Sequence, residues 1–104
     1  MKSMMVYMTA NNLEQAQKIG ETLVDERLVA CVNILDNMKS IYRWKGVVER
    51  DNEVVLITKT KESLVDAVVS RVTQLHSYEV PCIVAVPIES GNPEYLQWIQ
   101  DETR

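Results

Sequence analysis

The sequence contains few of the side chains that usually build metal centres. It has one histidine, His76, and two cysteines, Cys31 and Cys82, among 104 residues. A closed zinc site takes about four ligands, so one histidine per chain is too few to supply the imidazoles of such a site. Without a recognisable secretion signal, the two cysteines are predicted to be free thiols rather than a disulfide. A metal site would therefore need ligands from more than one subunit.

Basic charge and long apolar runs are also scarce. The chain has 11 basic and 15 acidic residues, a formal net charge of −4, and so no electrostatic footprint for nucleic acid or an anionic membrane. No apolar run approaches the roughly 20 residues that span a bilayer. The apolar stretch at residues 4–8 is shorter than the about 7 to 15 residues of a signal-peptide core. These absences predict a cytoplasmic protein with neither nucleic acid nor membrane as a partner.

Two functional classes lack their signatures. We find no glycine-rich phosphate loop and no nucleophile beside a base, which argues against an enzyme. An RNA-recognition module shares the topology derived below, but the chain is acidic and has no Lys/Arg-rich aromatic motif of that module. The sequence therefore favours a binding protein without catalytic activity.

The residues that are present predict one domain over residues 1–104, since 46% are hydrophobic and the length suits a single core. Hydrophobic periodicity predicts strands at residues 4–8, 28–35, 53–59 and 80–88. It predicts helices over residues 13–24 and 61–76, and a third helix that starts at Pro93 after an Asn92 cap. Residues 38–46 alternate as a bent strand or hairpin arm after a turn at Asp36 and Asn37, and residues 46–52 resemble a turn region.

This order, βαββαβ plus a terminal helix, predicts an α+β fold of the ferredoxin-like type, with two helices on one face of a four-stranded antiparallel sheet. The strands carry apolar residues on both faces, yet two helices cover only one. The last strand, CIVAVPI, has prolines that suit an edge position, where an apolar strand needs a partner. We therefore expect a homo-oligomer.

Four segments resemble one known family. RLVACVNIL, SIYRWKGVVERDNEVVLITKT, HSYEVPCIVAVPI and GNPEYLQWI, in this order and spacing, are similar to the CutA divalent-cation tolerance proteins, from about Val6 to Ile99. The resemblance implies a homotrimer like that of the PII signalling proteins, with clefts between subunits. It also implies a role in the response to metal ions such as copper, binding of copper or another divalent metal ion or of a small ligand, and no catalytic reaction.

The resemblance also indicates a site. The expected cleft residues are Tyr42, Trp44, Lys59, Tyr78 and Glu79, and the expected metal ligands are His76 and Cys82. Cys82 stands where many members have glutamate, and a thiol favours soft ions such as Cu(I) or Zn²⁺. Ser77 replaces the proline of the usual HPYE segment.

Each of these residues also has a structural interpretation. His76 would suit the last turn of a helix, and Cys82, like Cys31, would suit core or interface packing. Tyr42 and Trp44 would suit cross-strand packing. A trimer that scaffolds partner proteins, with no direct metal role, is the alternative function.

Overall fold

Four strands form one antiparallel sheet in the computed structural model, which describes residues 2–104. In chain order the strands are β1 (Ser3–Ala10), β2 (Cys31–Trp44), β3 (Val47–Lys61) and β4 (Ile83–Pro87). The helices are α1 (Leu13–Asp25), α2 (Val65–Leu75) and α3 (Pro93–Glu102), and a 3-10 turn at Glu62–Leu64 precedes α2. The strand order is β2-β3-β1-β4. The α+β fold, the βαββαβ order and the edge position of β4 are confirmed.

Helices α1 and α2 cover one face of the sheet because alternate strand residues are apolar on that side. Met8 of β1 and Leu56 of β3 are paired neighbours, and both are completely buried. Helix α1 begins where predicted, since Asn12 Oδ1 accepts a hydrogen bond from the Gln15 amide at 2.8 Å. No helix within residues 2–104 is long and apolar enough to cross a membrane.

Gly20 lets α1 approach β2 closely. A Cβ atom at this position would lie 2.8 Å from Val32 Cγ1, and Val32 is β-branched and rotates poorly. Gly20→Ala is therefore expected to lower the unfolding free energy by about 1 kcal/mol, although alanine normally gains about that much over glycine in a helix. The measurement is chemical denaturation. Gly91→Ala is the control, because its Cβ would meet nothing closer than 3.6 Å; equal effects of the two substitutions would contradict the prediction.

Helix α3 packs on the opposite face of the sheet, at one end. Tyr95 Oη lies 3.7 Å from Cys31 Sγ, and Gln100 Nε2 donates to Ser3 Oγ at 3.1 Å. Ser3 and Cys31 alternate with residues of the helix-covered face, so both point away from α1 and α2. The terminal helix thus covers part of the second face.

The rest of that second face is uncovered within one chain. Leu35, Val84 and Val86 are 57%, 52% and 48% exposed, and Tyr7 is paired with Val84 across the sheet. We call this surface, around Tyr7, Leu35, Val84 and Val86, the open face. The apolar second face expected from the alternation is present, and in one chain it meets water.

The long β2–β3 hairpin corrects one prediction. Residues 46–52 are not a turn region: β3 already starts at Val47, and the turn is the dipeptide Lys45–Gly46. Its φ values of 50° and 84° match a two-residue type I′ turn. Asp36 and Asn37 are not a turn between strands but a bulge within β2, with Asn37 at φ 63°. The segment of this hairpin beyond the bulge, residues 38–53, is called the arm below.

Three other boundaries are shorter than predicted. Strand β2 begins at Cys31 rather than at residue 28, because Leu28 and Val29 still hydrogen-bond back to the end of α1. Helix α2 begins at Val65 rather than 61, since β3 continues through Lys61. Strand β4 begins at Ile83 rather than 80, so Cys82 precedes the strand and is exposed.

Candidate functional site

A cavity of about 820 Å³ lies between the arm, the sheet and the loop after α2. The sheet supplies its floor, with Tyr7, Thr9 and Glu53. The arm supplies one wall, with Met38, Lys39, Ser40, Ile41, Tyr42 and Trp44. The loop supplies the other wall, with Ser77, Tyr78, Glu79, Val80 and Cys82. Five of the seven predicted site residues therefore line one cavity, namely Tyr42, Trp44, Tyr78, Glu79 and Cys82.

Glu53 is the buried acid of this cavity. It is only 8% exposed, and its Oε2 accepts a hydrogen bond from the Tyr78 hydroxyl at 2.8 Å. Burial, that hydrogen bond and the charge of Glu53 all raise the pKa of Tyr78. The Tyr78 hydroxyl therefore stays protonated and keeps donating to the carboxylate.

A second tyrosine–carboxylate pair lies on the arm. The Tyr42 hydroxyl donates to Asp51 Oδ2, two residues before Glu53 on β3. This hydrogen bond is the main cause that raises the pKa of Tyr42 to about 12, with partial desolvation and nearby carboxylates adding to it. Both phenols thus give their protons to acids, which leaves oxygen lone pairs facing the cavity.

Tyr42 is expected to ionise near pH 12 in the folded protein. Because its folded pKa is raised, the stabilisation from this pair is complete below the unfolded value of about 10 and is lost as the pH rises through about 12. The phenolate absorbance of the wild type minus that of Tyr42→Phe isolates this residue. Asp51→Asn should move the transition towards pH 10, whereas Asp66→Asn on α2 should not. An unchanged transition in Asp51→Asn would contradict the assignment.

His76 lies behind the cavity wall and not on its surface. The Tyr78 amide donates to Nδ1 at 3.1 Å, so the ring proton resides on Nε2, which donates to the Thr9 carbonyl at 2.7 Å. The two rings of His76 and Tyr78 lie 4.6 Å apart. His76 therefore ties the end of α2 to β1 and orients Tyr78, and either nitrogen would have to leave a hydrogen bond to bind a metal ion.

The other predicted site residues divide. Lys59 does not line the cavity: its ammonium donates to Asn33 Oδ1 at 2.8 Å, on the face away from α2. Glu79 forms an exposed ion pair with Lys45 at 3.5 Å, which joins the loop to the tip of the arm. Partial burial and the nearby charge of Glu53 raise the pKa of the Cys82 thiol. Within residues 2–104, no group of three or more His, Cys, Asp or Glu side chains is placed to hold a metal ion.

Sequence reasoning did not find Glu53, Asp51 or Tyr7. The signal for the two acids was the Lys45–Gly46 turn, because a two-residue hairpin turn pairs Tyr42 with Glu49, Ser40 with Asp51 and Met38 with Glu53. That register puts both acids on the face of Tyr42 and Trp44.

Comparisons with known proteins agree with this architecture. A family model described as "CutA1 divalent ion tolerance protein" matches residues 4–102. The chloroplastic protein CutA 1 of Oryza sativa subsp. japonica is 43% identical over 102 residues, which is 98% of this chain and 58% of that protein. The chain thus spans less than two thirds of that relative.

Two solved structures superpose closely. The divalent cation tolerance protein of Thermus thermophilus is 45% identical, with a TM-score of 0.96 over 98% of this chain and 99% of that one. The periplasmic CutA of Archaeoglobus fulgidus is 40% identical, with a TM-score of 0.93 over 96% and 97%. The family is non-enzymatic, and its members are named for divalent-ion tolerance. With a family match over nearly the whole chain and the same fold in its relatives, the protein belongs to the CutA1 divalent ion tolerance family.

Proposed function

We propose that this chain, as a single-domain homotrimer, acts in the response to metal ions such as copper and binds a small ligand or a metal ion in clefts between subunits. The observation that carries the proposal is the cavity of about 820 Å³, which adjoins the open face. A cavity of this size falls within the range of small-molecule sites. A subunit placed on the open face would extend its walls into an intersubunit cleft.

Self-association is supported by the exposed apolar side chains of one chain. On the open face Leu35, Val84 and Val86 are about half exposed, and at the rim of the cavity Val80 is 66% exposed. A large apolar patch on an otherwise soluble surface is typical of an interface. Strands β2 and β4 are both edges of the sheet, and either is able to pair with a neighbouring chain.

A small ligand is the occupant that one chain's residues favour. Both nitrogens of His76 are engaged, and the Cys82 thiol has a raised pKa and keeps its proton more tightly. A metal ion needs deprotonated ligands, so copper or another divalent ion would have to displace these protons and hydrogen bonds and recruit side chains from other subunits.

The test is to purify the protein without an affinity tag or added metal and to weigh the intact assembly by native mass spectrometry. We expect a trimer that carries extra non-protein mass or takes up ligand saturably. Trp44→Ala, inside the cavity, should reduce uptake, whereas Trp98→Ala on α3 should not. A trimer without bound mass or saturable uptake would contradict the binding function.

A metal arm uses calorimetry with Cu(I) and Zn²⁺. If the metal site is direct, His76→Ala and Cys82→Ser lower the affinity at least tenfold, and unchanged affinity in both would remove these residues from the proposal. The cytoplasm is the proposed compartment, and cell fractionation tests it, because relatives named chloroplastic and periplasmic exist.

The alternative function is a trimer that scaffolds partner proteins without a metal role. The observation in its favour is the other side of the arm, where Ile41 is 69% and Val48 is 43% exposed. Co-purification from a native extract distinguishes it: a stoichiometric partner lost in Ile41→Ser, with ligand uptake unchanged, would support the scaffold.

A further inference from the structure

Glu53 is a buried carboxylate without a cationic partner. It is only 8% exposed, and none of the ion pairs found among residues 2–104 includes it. Its Oε2 accepts from Tyr78, while Oε1 has no hydrogen bond among the described residues and faces a cavity that Glu53 lines. Burying an ionised carboxylate is costly unless a positive charge or several donors offset it. Oε1 is therefore a place for a cation.

The walls of the cavity offer acceptors and aromatic faces rather than donors. The hydroxyls of Tyr42 and Tyr78 already donate to Asp51 and Glu53, so their oxygens present lone pairs. Tyr7, Tyr42, Tyr78 and Trp44 all line the cavity, and aromatic faces attract organic cations within about 6 Å. An anionic ligand would meet carboxylates and phenol oxygens, whereas a cationic one would find partners.

The lysines near the cavity are already engaged. The Lys39 ammonium donates to Asn52 Oδ1 at 2.7 Å, and Lys45 pairs with Glu79 at 3.5 Å while lying 5.5 Å from the Trp44 ring. Neither is paired with Glu53. The position of Lys45 over Trp44 also shows that the ring face on the arm is accessible to a cation.

The size and the apolar lining set the class of cation. A volume of about 820 Å³ far exceeds a single metal ion and suits an organic molecule of moderate size. Met38, Ile41 and Val80 supply apolar surface around it. The ligand should therefore combine one positive group with an apolar or aromatic body.

We propose that this cavity binds an organic cation, an alkylammonium or guanidinium compound, with its N–H groups on Glu53 Oε1 and its apolar body between Trp44 and Val80. The inference rests on the proposed small-ligand function and specifies the ligand's chemistry.

The probes are three molecules of similar shape: phenethylammonium, neutral 2-phenylethanol and anionic 3-phenylpropionate. Titration calorimetry on the intact assembly is expected to show saturable binding of phenethylammonium, at least tenfold weaker binding of the alcohol and none of the anion. Glu53→Gln keeps an acceptor for Tyr78 but removes the charge, and should weaken phenethylammonium at least tenfold. Trp44→Leu should also weaken it, and Glu62→Gln, an exposed acid after β3, should not. Circular dichroism verifies that each variant is folded.

Three results would overturn the inference. Equal affinity for the ammonium and the alcohol, or an unaffected Glu53→Gln, would reject the cationic class while the small-ligand function stands. Native mass spectrometry that finds another ligand bound, with no uptake of phenethylammonium, would do the same. Failure of all probes in the wild type, together with loss of the trimer in Glu53→Gln, would assign Oε1 to a basic side chain of a neighbouring subunit.

Discussion

Replacing Val84 with glutamate is expected to abolish self-association while leaving the chain folded. Val84 lies on the edge strand β4 in the middle of the open face, opposite Tyr7, and is 52% exposed in one chain. A glutamate there is hydrated in the monomer and costs nothing in packing on the helix side. In a trimer the same carboxylate would be buried in each subunit without a partner, which costs several kcal/mol per ion.

Sedimentation equilibrium measures the assembly, and circular dichroism verifies the fold. Val24→Glu is the control, because Val24 is 38% exposed on α1, on the side of the chain away from the open face. We expect that this variant keeps the wild-type mass. A Val84→Glu protein that still sediments as the wild-type assembly would remove the open face from the interface.

Replacing Leu56 with alanine is expected to lower the unfolding free energy by about 2 to 5 kcal/mol. Leu56 has no exposed surface, and it lies in the central strand β3 between Met8 and Ile34 of the two neighbouring strands. Removing its side-chain carbons leaves a cavity that the sheet cannot close, because backbone hydrogen bonds hold the strands on both sides in place.

Urea denaturation at one fixed protein concentration measures this effect, since association makes apparent stability depend on concentration. Leu13→Ala is the matched control: Leu13 is 40% exposed at the start of α1, and its loss should change stability by less than about 0.5 kcal/mol. Comparable losses in the two variants would contradict the assignment of Leu56 to the core.

Regular alternation made most of the sheet predictable. Strand β1 and the second half of β3 were predicted within three residues at each end, because buried and half-buried residues alternate there with a period of two. The arm was predicted only in its first strand. Residues 47–52 are polar and wholly exposed, so hydrophobic pattern alone gives no strand signal, and the backbone hydrogen bonds to β2 decide their conformation.

The candidate site shows the same division. Tyr42, Trp44, Tyr78, Glu79 and Cys82 were predicted together from the resemblance and do line one cavity. Lys59 was predicted beside them, but the alternation of β3 turns its side chain to Asn33, along the sheet from the cavity. Glu53 was missed because a lone acid before an apolar strand looks like a solvated strand end.

His76 illustrates how one residue type is decided by its neighbours. A histidine near the end of a helix predicts either a cap or a ligand, and nothing in the adjacent sequence distinguishes them. The structure brings Thr9, 67 residues away, to 2.7 Å from Nε2. That distance depends on how α2 packs over β1.

The sequence by itself determined the α+β class, the order of the elements, the apolar second face and the family, because each follows from local periodicity or from ordered segments. Only the tertiary structure decided which acid is buried, which nitrogen of His76 is protonated, and that the arm and the α2–β4 loop enclose a cavity. These depend on hairpin register and helix packing between residues far apart in the chain. Such contacts carry no local signal, since side chains distant in sequence meet only when the strands pair.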